Sequence, residues 1–234
     1  MQRVRLTGGN GDVVIISVNN DTEALPGIFT VNDSGKKIKF SPGNLFWNGS
    51  KFDFEKHQYD CPTSWNPDHV GHFYWSKVAN IARAENFEDR NQNVSDRFFA
   101  TDDRAIDGYT VLSMDEWDYL FEHSLAKNSS DKNTFIIVGK KCIILKPDGF
   151  VGTIADSYSA EEWAVAEASG LVALPFAGDR GGAGIDGAGS GGTFWSATPD
   201  DSDGAYYADF CSGFAFTGSN NRDDGYCVRL VSVQ

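Results

Sequence analysis

Apolar positions recur along this chain in two rhythms, the every-second-residue alternation of a half-buried strand and the three-to-four-residue spacing of an amphipathic helix. Residues 27–31 and 36–40 alternate on either side of Asn32-Asp33-Ser34-Gly35, the turn chemistry of a β-hairpin. Phe52-Asp53-Phe54 repeats the strand pattern, and Phe135-Ile136-Ile137-Val138-Gly139 with Cys142-Ile143-Ile144-Leu145 forms a second hairpin signal. The helical rhythm appears after Ser113, where Trp117, Leu120 and Phe121 share a face. Ser113 and Glu116 have capping-box spacing, and Ser159 with Glu162 marks a second helix running to about Ala168. Leu171-Val172-Ala173-Leu174-Pro175 reads as a buried strand entering a glycine-rich loop, and Phe194-Trp195-Ser196 is strand-like again. Strands early, helices in the middle and strands late predict an α+β class. Residues 25–234 form one domain in this reading. Residues 1–24 form an N-terminal arm, with a strand at Val13-Val14-Ile15-Ile16-Ser17-Val18 and a polar link after it.

Charge narrows the class of partner. A formal net charge of -13 disfavours a nucleic-acid binder, whose phosphate contacts need a basic face, and adsorption to an anionic membrane. No apolar run approaches bilayer-spanning length, and the basic start lacks the apolar core of a signal peptide. The four cysteines (Cys61, Cys142, Cys211, Cys227) lie far apart without a CxxC pair, so buried free thiols are expected; a Cys211–Cys227 bridge stays open.

The residues of catalysis do not assemble in the sequence. All four His (His57, His69, His72, His123) fall in the first half, and no Gly-x-Ser-x-Gly is present. His57, His69 and His72 lack the helical spacing of a metalloprotease pair, so no metal is expected there. The glycines from Gly181 to Gly192 run into a strand and not a helix, which removes the phosphate-cradle reading. Neither a cofactor nor an enzymatic activity is expected.

From Ala168 to Val233, roughly 66 residues, there is no Lys, Glu, Gln or Met, although the rest of the chain carries all four. The charge in this span comes from eight Asp and three Arg. The missing types need purine-ending codons, whereas Asp, Asn, Tyr, Phe, Cys, Ser, Gly, Ala and Thr can all end in a pyrimidine. A stretch randomised from Asn codons at their adenines would have this composition. Tyr, Ser, Gly and Asn are also the residues that recognition loops favour.

An ordered series of short motifs completes the reading: Phe40-Ser41-Pro42-Gly43-Asn44-Leu45, His57-Gln58-Tyr59-Asp60, Leu112-Ser113 with Glu116-Trp117, and Ile143-Ile144-Leu145-Lys146-Pro147-Asp148. It continues through Leu174-Pro175, Ala177-Gly178, Arg180 and Trp195-Ser196-Ala197-Thr198-Pro199 to Arg222, Gly225 and Val228-Arg229-Leu230-Val231. Over about residues 25–232 the series resembles the variable proteins of diversity-generating retroelements from gut Bacteroidetes and their phages. The resemblance implies a C-type lectin-like fold, two helices flanking a small twisted antiparallel sheet, with long irregular insertions. It also implies a terminal repeat rewritten at adenines by a reverse transcriptase. Trp195-Ser196, Ala205-Tyr206, Phe210 and Val228-Arg229-Leu230 would be scaffold. The varied, ligand-binding positions would be Phe194, Ala197, Asp201, Asp203, Gly204, Tyr207, Asp209, Cys211, Gly213, Phe214, Phe216, Asp223, Asp224, Tyr226 and Cys227. No Glu-Pro-Asn or Gln-Pro-Asp triplet is present, so calcium-dependent sugar binding is not implied.

The function expected is non-catalytic display of a hypervariable surface to a protein or cell-surface ligand, on a phage tail or a bacterial surface. Two alternatives stand beside it. One is an oxidase of the formylglycine-generating type, which shares the lectin-like fold and needs a close cysteine pair. The other is a tail assembly component, a homo-oligomer joined through the 1–24 arm.

Overall fold

The structure is a computed structural model and describes residues 2–7, 13–18, 23–64, 66, 68–75, 106, 108–181, 184–200 and 204–234. Near the N-terminus, β1 (Gln2–Thr7) and β2 (Val13–Val18) form an antiparallel hairpin of their own. The strand expected after Asp12 is present, and a second one precedes it.

β3 (Phe29–Thr30) and β4 (Lys37–Phe40) form the expected hairpin around Gly35, whose φ of 81° is the left-handed conformation such a turn demands. β5 (Leu45–Trp47) pairs with β6 (Phe52–Phe54). After β7 (Thr110–Val111) comes α1 (Met114–His123). The Glu116 backbone N–H donates to Ser113 Oγ at 3.3 Å while the Ser113 N–H donates to Glu116 Oε2 at 2.8 Å, so the capping box is complete. β8 (Phe135–Ile137), β9 (Lys140–Leu145) and β10 (Ser157–Tyr158) follow, then α2 (Ala160–Ala168), started by the same device at Ser159 and Glu162. β11 (Val172–Pro175) leads into the short hairpin of β12 (Asp179–Gly181) and β13 (Gly184–Asp186). The tail is a three-stranded meander, β14 (Gly191–Pro199), β15 (Gly204–Cys211) and β16 (Phe214–Asn221), and the last strand is β17 (Leu230–Val233).

This architecture corrects the α+β expectation and, with it, the lectin-like fold of two helices flanking one sheet. The chain is 41% strand and 11% helix, with two helices among the described residues and its strands divided among six small sheets. α1 packs on the β14–β15–β16 sheet, whereas α2 lies beside β10, so the helices serve different sheets. The physical reason is strand length. Strands of two to four residues carry little alternation for a sequence reading to detect, while two capped helices announce themselves. The glycine-rich stretch after β11, which looked like loop, is also largely paired backbone.

β17 sits inside the sheet ordered β3–β4–β17–β7, with Val231 opposite Phe40 and Leu230 opposite Val111. The chain's end is thereby locked between segments far from it in sequence. One core cluster joins Phe29, Phe40, Trp117, Leu120, Phe194 and Phe210; a second gathers Phe73, Trp75, Trp195, Tyr226 and Val228; a third packs Trp163 of α2 against Phe135, Ile137 and Ile144. Among the described residues no helix is long and apolar enough to cross a membrane.

Candidate functional site

The meander sorts its side chains by the strand period of two. Ala208 pairs with Phe194 and Thr217, and Phe210 pairs with Gly192 and Ala215, so these residues share one face. That face meets α1: Phe194 and Phe210 stack 5.6 Å apart, Trp117 and Phe121 lie 6.4 and 6.5 Å from them, and Thr217 Oγ1 donates to Asp118 Oδ1. The opposite face carries Trp195–Tyr207–Gly218 in one row, Thr193–Asp209–Phe216 in the next and Gly191–Cys211–Phe214 in the last.

An aromatic floor forms at one end of this second face. Tyr226 lies 4.2 Å from Trp195 and 4.9 Å from Tyr207, ring centroid to centroid. Gly218 makes room for Tyr207, because a Cβ there would stand 3.1 Å from the Tyr207 hydroxyl oxygen. Asn220 Nδ2 donates to the Tyr226 oxygen at 2.8 Å, and Tyr226 O–H faces Asp224 Oδ2 at 3.4 Å. At the other end Phe214 and Phe216 lie 5.7 Å apart with 51% and 44% of their surfaces exposed. Two bulky aromatics left in water on a strand are a cost to the monomer that a ligand would remove.

Three carboxylates surround the floor. Burial raises the Asp209 carboxyl above the usual aspartate range, and the field of Asp179 adds to it. Asp224 is raised by burial, then by Asp223 and Asp179; Asp179 is raised by burial and by Asp186, while His72 opposes this. Tyr207 holds its phenolic proton more tightly because it is partly buried among Asp209, Asp224 and Asp179. Aromatic faces ringed by partly desolvated carboxylates favour cationic or hydrogen-bond-donating groups on a ligand.

The fifteen residues expected to vary divide unequally. Tyr207, Asp209, Cys211, Phe214 and Phe216 share the second face, Asp224 and Tyr226 adjoin it, and Gly213 forms the exposed hairpin tip. Asp223 is half-buried in the turn before Tyr226, Gly204 is buried at the start of β15, and Ala197 is half-buried against the Trp195 cluster. Phe194 and Cys227 are fully buried on the core side, with no surface for a ligand. Asp201 and Asp203 lie outside the described residues. Tyr226 is only 4% exposed and acts as floor.

The positions assigned to scaffold are held by backbone and side-chain bonds. Trp195 Nε1 donates to Phe73 O at 2.6 Å, Trp75 Nε1 to Ser196 O at 2.7 Å, and Ser196 Oγ to Tyr206 O at 2.8 Å. Arg229, completely buried, donates from Nη2 to Gln58 Oε1 at 3.0 Å and from Nη1 to Asn44 Oδ1 at 3.3 Å. Gln58 also accepts from the Ala173 N–H and donates to Glu167 Oε2. Three of the scattered motifs thus meet in one buried polar network. Burial pulls the Arg229 pKa down to about 9, which still leaves the guanidinium charged near neutral pH.

The cysteines and histidines are arranged in a way that their spacing along the chain does not show. All four cysteines are free thiols. Cys227 Sγ lies 3.0 Å from Cys61 Sγ, so the close pair joins positions 61 and 227 and not 211 and 227. His57 stacks on Tyr59, His69 bonds Glu55 Oε1 at 2.6 Å, and His72 approaches Cys61; the three histidines do not converge. Sequence reasoning missed Asp179 beside the face and the Cys61–His72–Cys227 grouping. Nothing local in the sequence signals either, because each is created by long-range pairing.

No protein-family model, curated protein or solved structure matches this chain.

Proposed function

We propose that the chain is a non-catalytic display protein that binds a protein or cell-surface ligand through the outer face of β14–β15–β16 and the adjoining Asp223–Tyr226 turn. One observation carries the reading: within β15, Tyr207, Asp209 and Cys211 point away from α1 while Ala208 and Phe210 pack towards it. Changes at Asp209 and Cys211 leave the α1-side core untouched, whereas Tyr207 also packs on the buried Trp195 and Tyr226. The tail's restricted residue types support adenine-directed variation as the source of that alteration. The half of the face nearer the hairpin tip is open, with Phe214 and Phe216 exposed, while Trp195 and Tyr226 at the other end are buried; an exposed aromatic pair suits a macromolecular partner. Its setting in this reading is a phage tail or a bacterial surface, with copies joined through the 1–24 arm.

The test is a binding array of purified gut bacterial surface proteins and glycans, probed with the parent and with a Phe214→Ala/Phe216→Ala double variant of the two exposed aromatics. Loss of the parent's signal at least tenfold, with an unchanged melting temperature, is the expected result. Equal binding by both proteins would remove this face as the binding surface. Sequencing the flanking DNA checks the diversification claim, which fails without a reverse-transcriptase gene and a template repeat nearby.

A further inference from the structure

Behind the binding face, three side chains from two distant segments converge. Cys61 follows the β6 segment, His72 lies eleven residues on, and Cys227 directly follows Tyr226 of the aromatic floor. Cys61 Sγ lies 3.0 Å from Cys227 Sγ and 4.0 Å from His72 Nε2, and one ligand atom from each residue falls within 4.8 Å of the others. Cys227 is held in place by its backbone, which accepts from the Trp195 N–H at 2.9 Å and donates to Thr193 O at 3.1 Å.

We propose that Cys61, His72 and Cys227 bind a zinc ion. Two thiolates and an imidazole form a donor set that suits zinc, and three protein ligands leave one position for a small exchangeable group. A tetrahedral zinc with Zn–S bonds of about 2.3 Å needs its sulfurs about 3.8 Å apart and its sulfur and nitrogen about 3.6 Å apart. The sulfurs must part by about 0.8 Å, and the imidazole must close by about 0.4 Å on Cys61 and by up to about 1.2 Å on Cys227. A disulfide would satisfy the two thiols alone and has no use for the third donor. His72 is 2% exposed, with Nε2 at 3.1 Å from Ala177 O and 4.0 Å from Cys61 Sγ, and its Nδ1 has no hydrogen-bond partner among the described residues. The nitrogen on the sulfur side is Nε2, so ligation there exchanges the Ala177 contact for the metal and leaves Nδ1 to carry the ring proton.

Cys61 is partly exposed and lines a cleft of about 360 Å³ with Glu55, Asp60, Pro62 and His69, which gives the ion a path inwards. Binding expels the two thiol protons and replaces them with sulfur–zinc bonds. The consequence is mechanical. The ion ties the 61–72 segment to the residue after Tyr226, across 166 positions of chain, and so stiffens the floor on which Tyr207 rests.

The experiment uses the full chain, purified under reducing conditions, stripped with chelator and titrated with Co(II) and then Zn(II). The parent is expected to show a thiolate-to-cobalt charge-transfer band saturating at about one equivalent. Zinc should abolish that band and raise the melting temperature. Cys61→Ser should lose the band and the zinc-induced shift while keeping the parent's metal-free melting temperature; Cys211→Ser should keep both. If Cys61→Ser does not fold, alkylation of the parent decides: zinc should shield the partly exposed Cys61 but not Cys211. The proposal is overturned if the reduced parent takes up no cobalt, if Cys61→Ser retains the band, or if zinc leaves the alkylation of Cys61 unchanged. A parent mass lower by two hydrogens, with positions 61 and 227 linked even after reductant treatment, would equally overturn it in favour of a disulfide.

Discussion

A guanidinium in a dry interior is tolerable only where acceptors have been placed for it. Arg229 meets Gln58 and Asn44, and Gln58 is itself fixed by the Ala173 N–H and by Glu167. Arg229→Met should therefore cost about 2–4 kcal/mol in a urea melt, since it strands buried amide oxygens as well as removing a charge. Asp209 illustrates the opposite economy. Its folded-state pKa is raised, chiefly by burial, so the folded chain binds its proton more tightly than the unfolded one. Through this group stability is lowest above the folded pKa and recovers as pH falls through that value towards the ordinary aspartate range. Asp209→Asn should raise stability near neutral pH by at most about 0.5 kcal/mol, the size that partial solvent screening leaves. It should also flatten the parent's acid-side gain in melting temperature and weaken ligand binding. A variant less stable than the parent at neutral pH would show that Asp209 is a structural carboxylate.

Among the elements, the β15–β16 hairpin depends on a residue outside itself. Asn133, fully buried, accepts from the Gly213 N–H at 2.8 Å and donates to Phe214 O at 2.9 Å, which clamps a tip whose Gly213 has a φ of 118°. Asn133→Ala should cost about 1–2 kcal/mol, and amide exchange at Gly213 should quicken more than exchange within α1. Unchanged exchange at the tip would mean that the strand pairing alone suffices. This dependence shows what a sequence can disclose. Ser113 with Glu116, Ser159 with Glu162 and the turn at Gly35 are local signals, and each forms the element it announces. The alternation of Tyr207, Asp209 and Cys211 against Ala208 and Phe210 is local too, and the pairing of β15 sets the two groups on opposite faces of the sheet. By contrast, the burial of Phe194 and Cys227, the arrival of Asp179 beside Tyr207, and the pairing of β17 between β4 and β7 rest on contacts between distant segments. The two-residue strands had too few side chains to show a period, which is why the helices weighed too heavily in the expected class.

For the molecule as a whole, the locked end and the separate N-terminal hairpin divide the labour. β17, held between β4 and β7, fastens the last residues into the fold, while β1 and β2 pair with each other. If the arm joins copies, deleting residues 1–24 should reduce the mass seen by light scattering to that of one chain without changing the melting temperature of the remainder; an unchanged mass removes the idea. The two-faced meander has a further consequence, for how such a tail can evolve. Substitution at every second position of β15 respects the boundary between interior and surface, but inserting or deleting one residue reverses it for every position beyond. Tyr207 and Asp209 would turn inward against α1, and Phe210 would turn out. Within β15, substitution at constant length keeps the register, and a change of one residue in length is the alteration this sheet tolerates least.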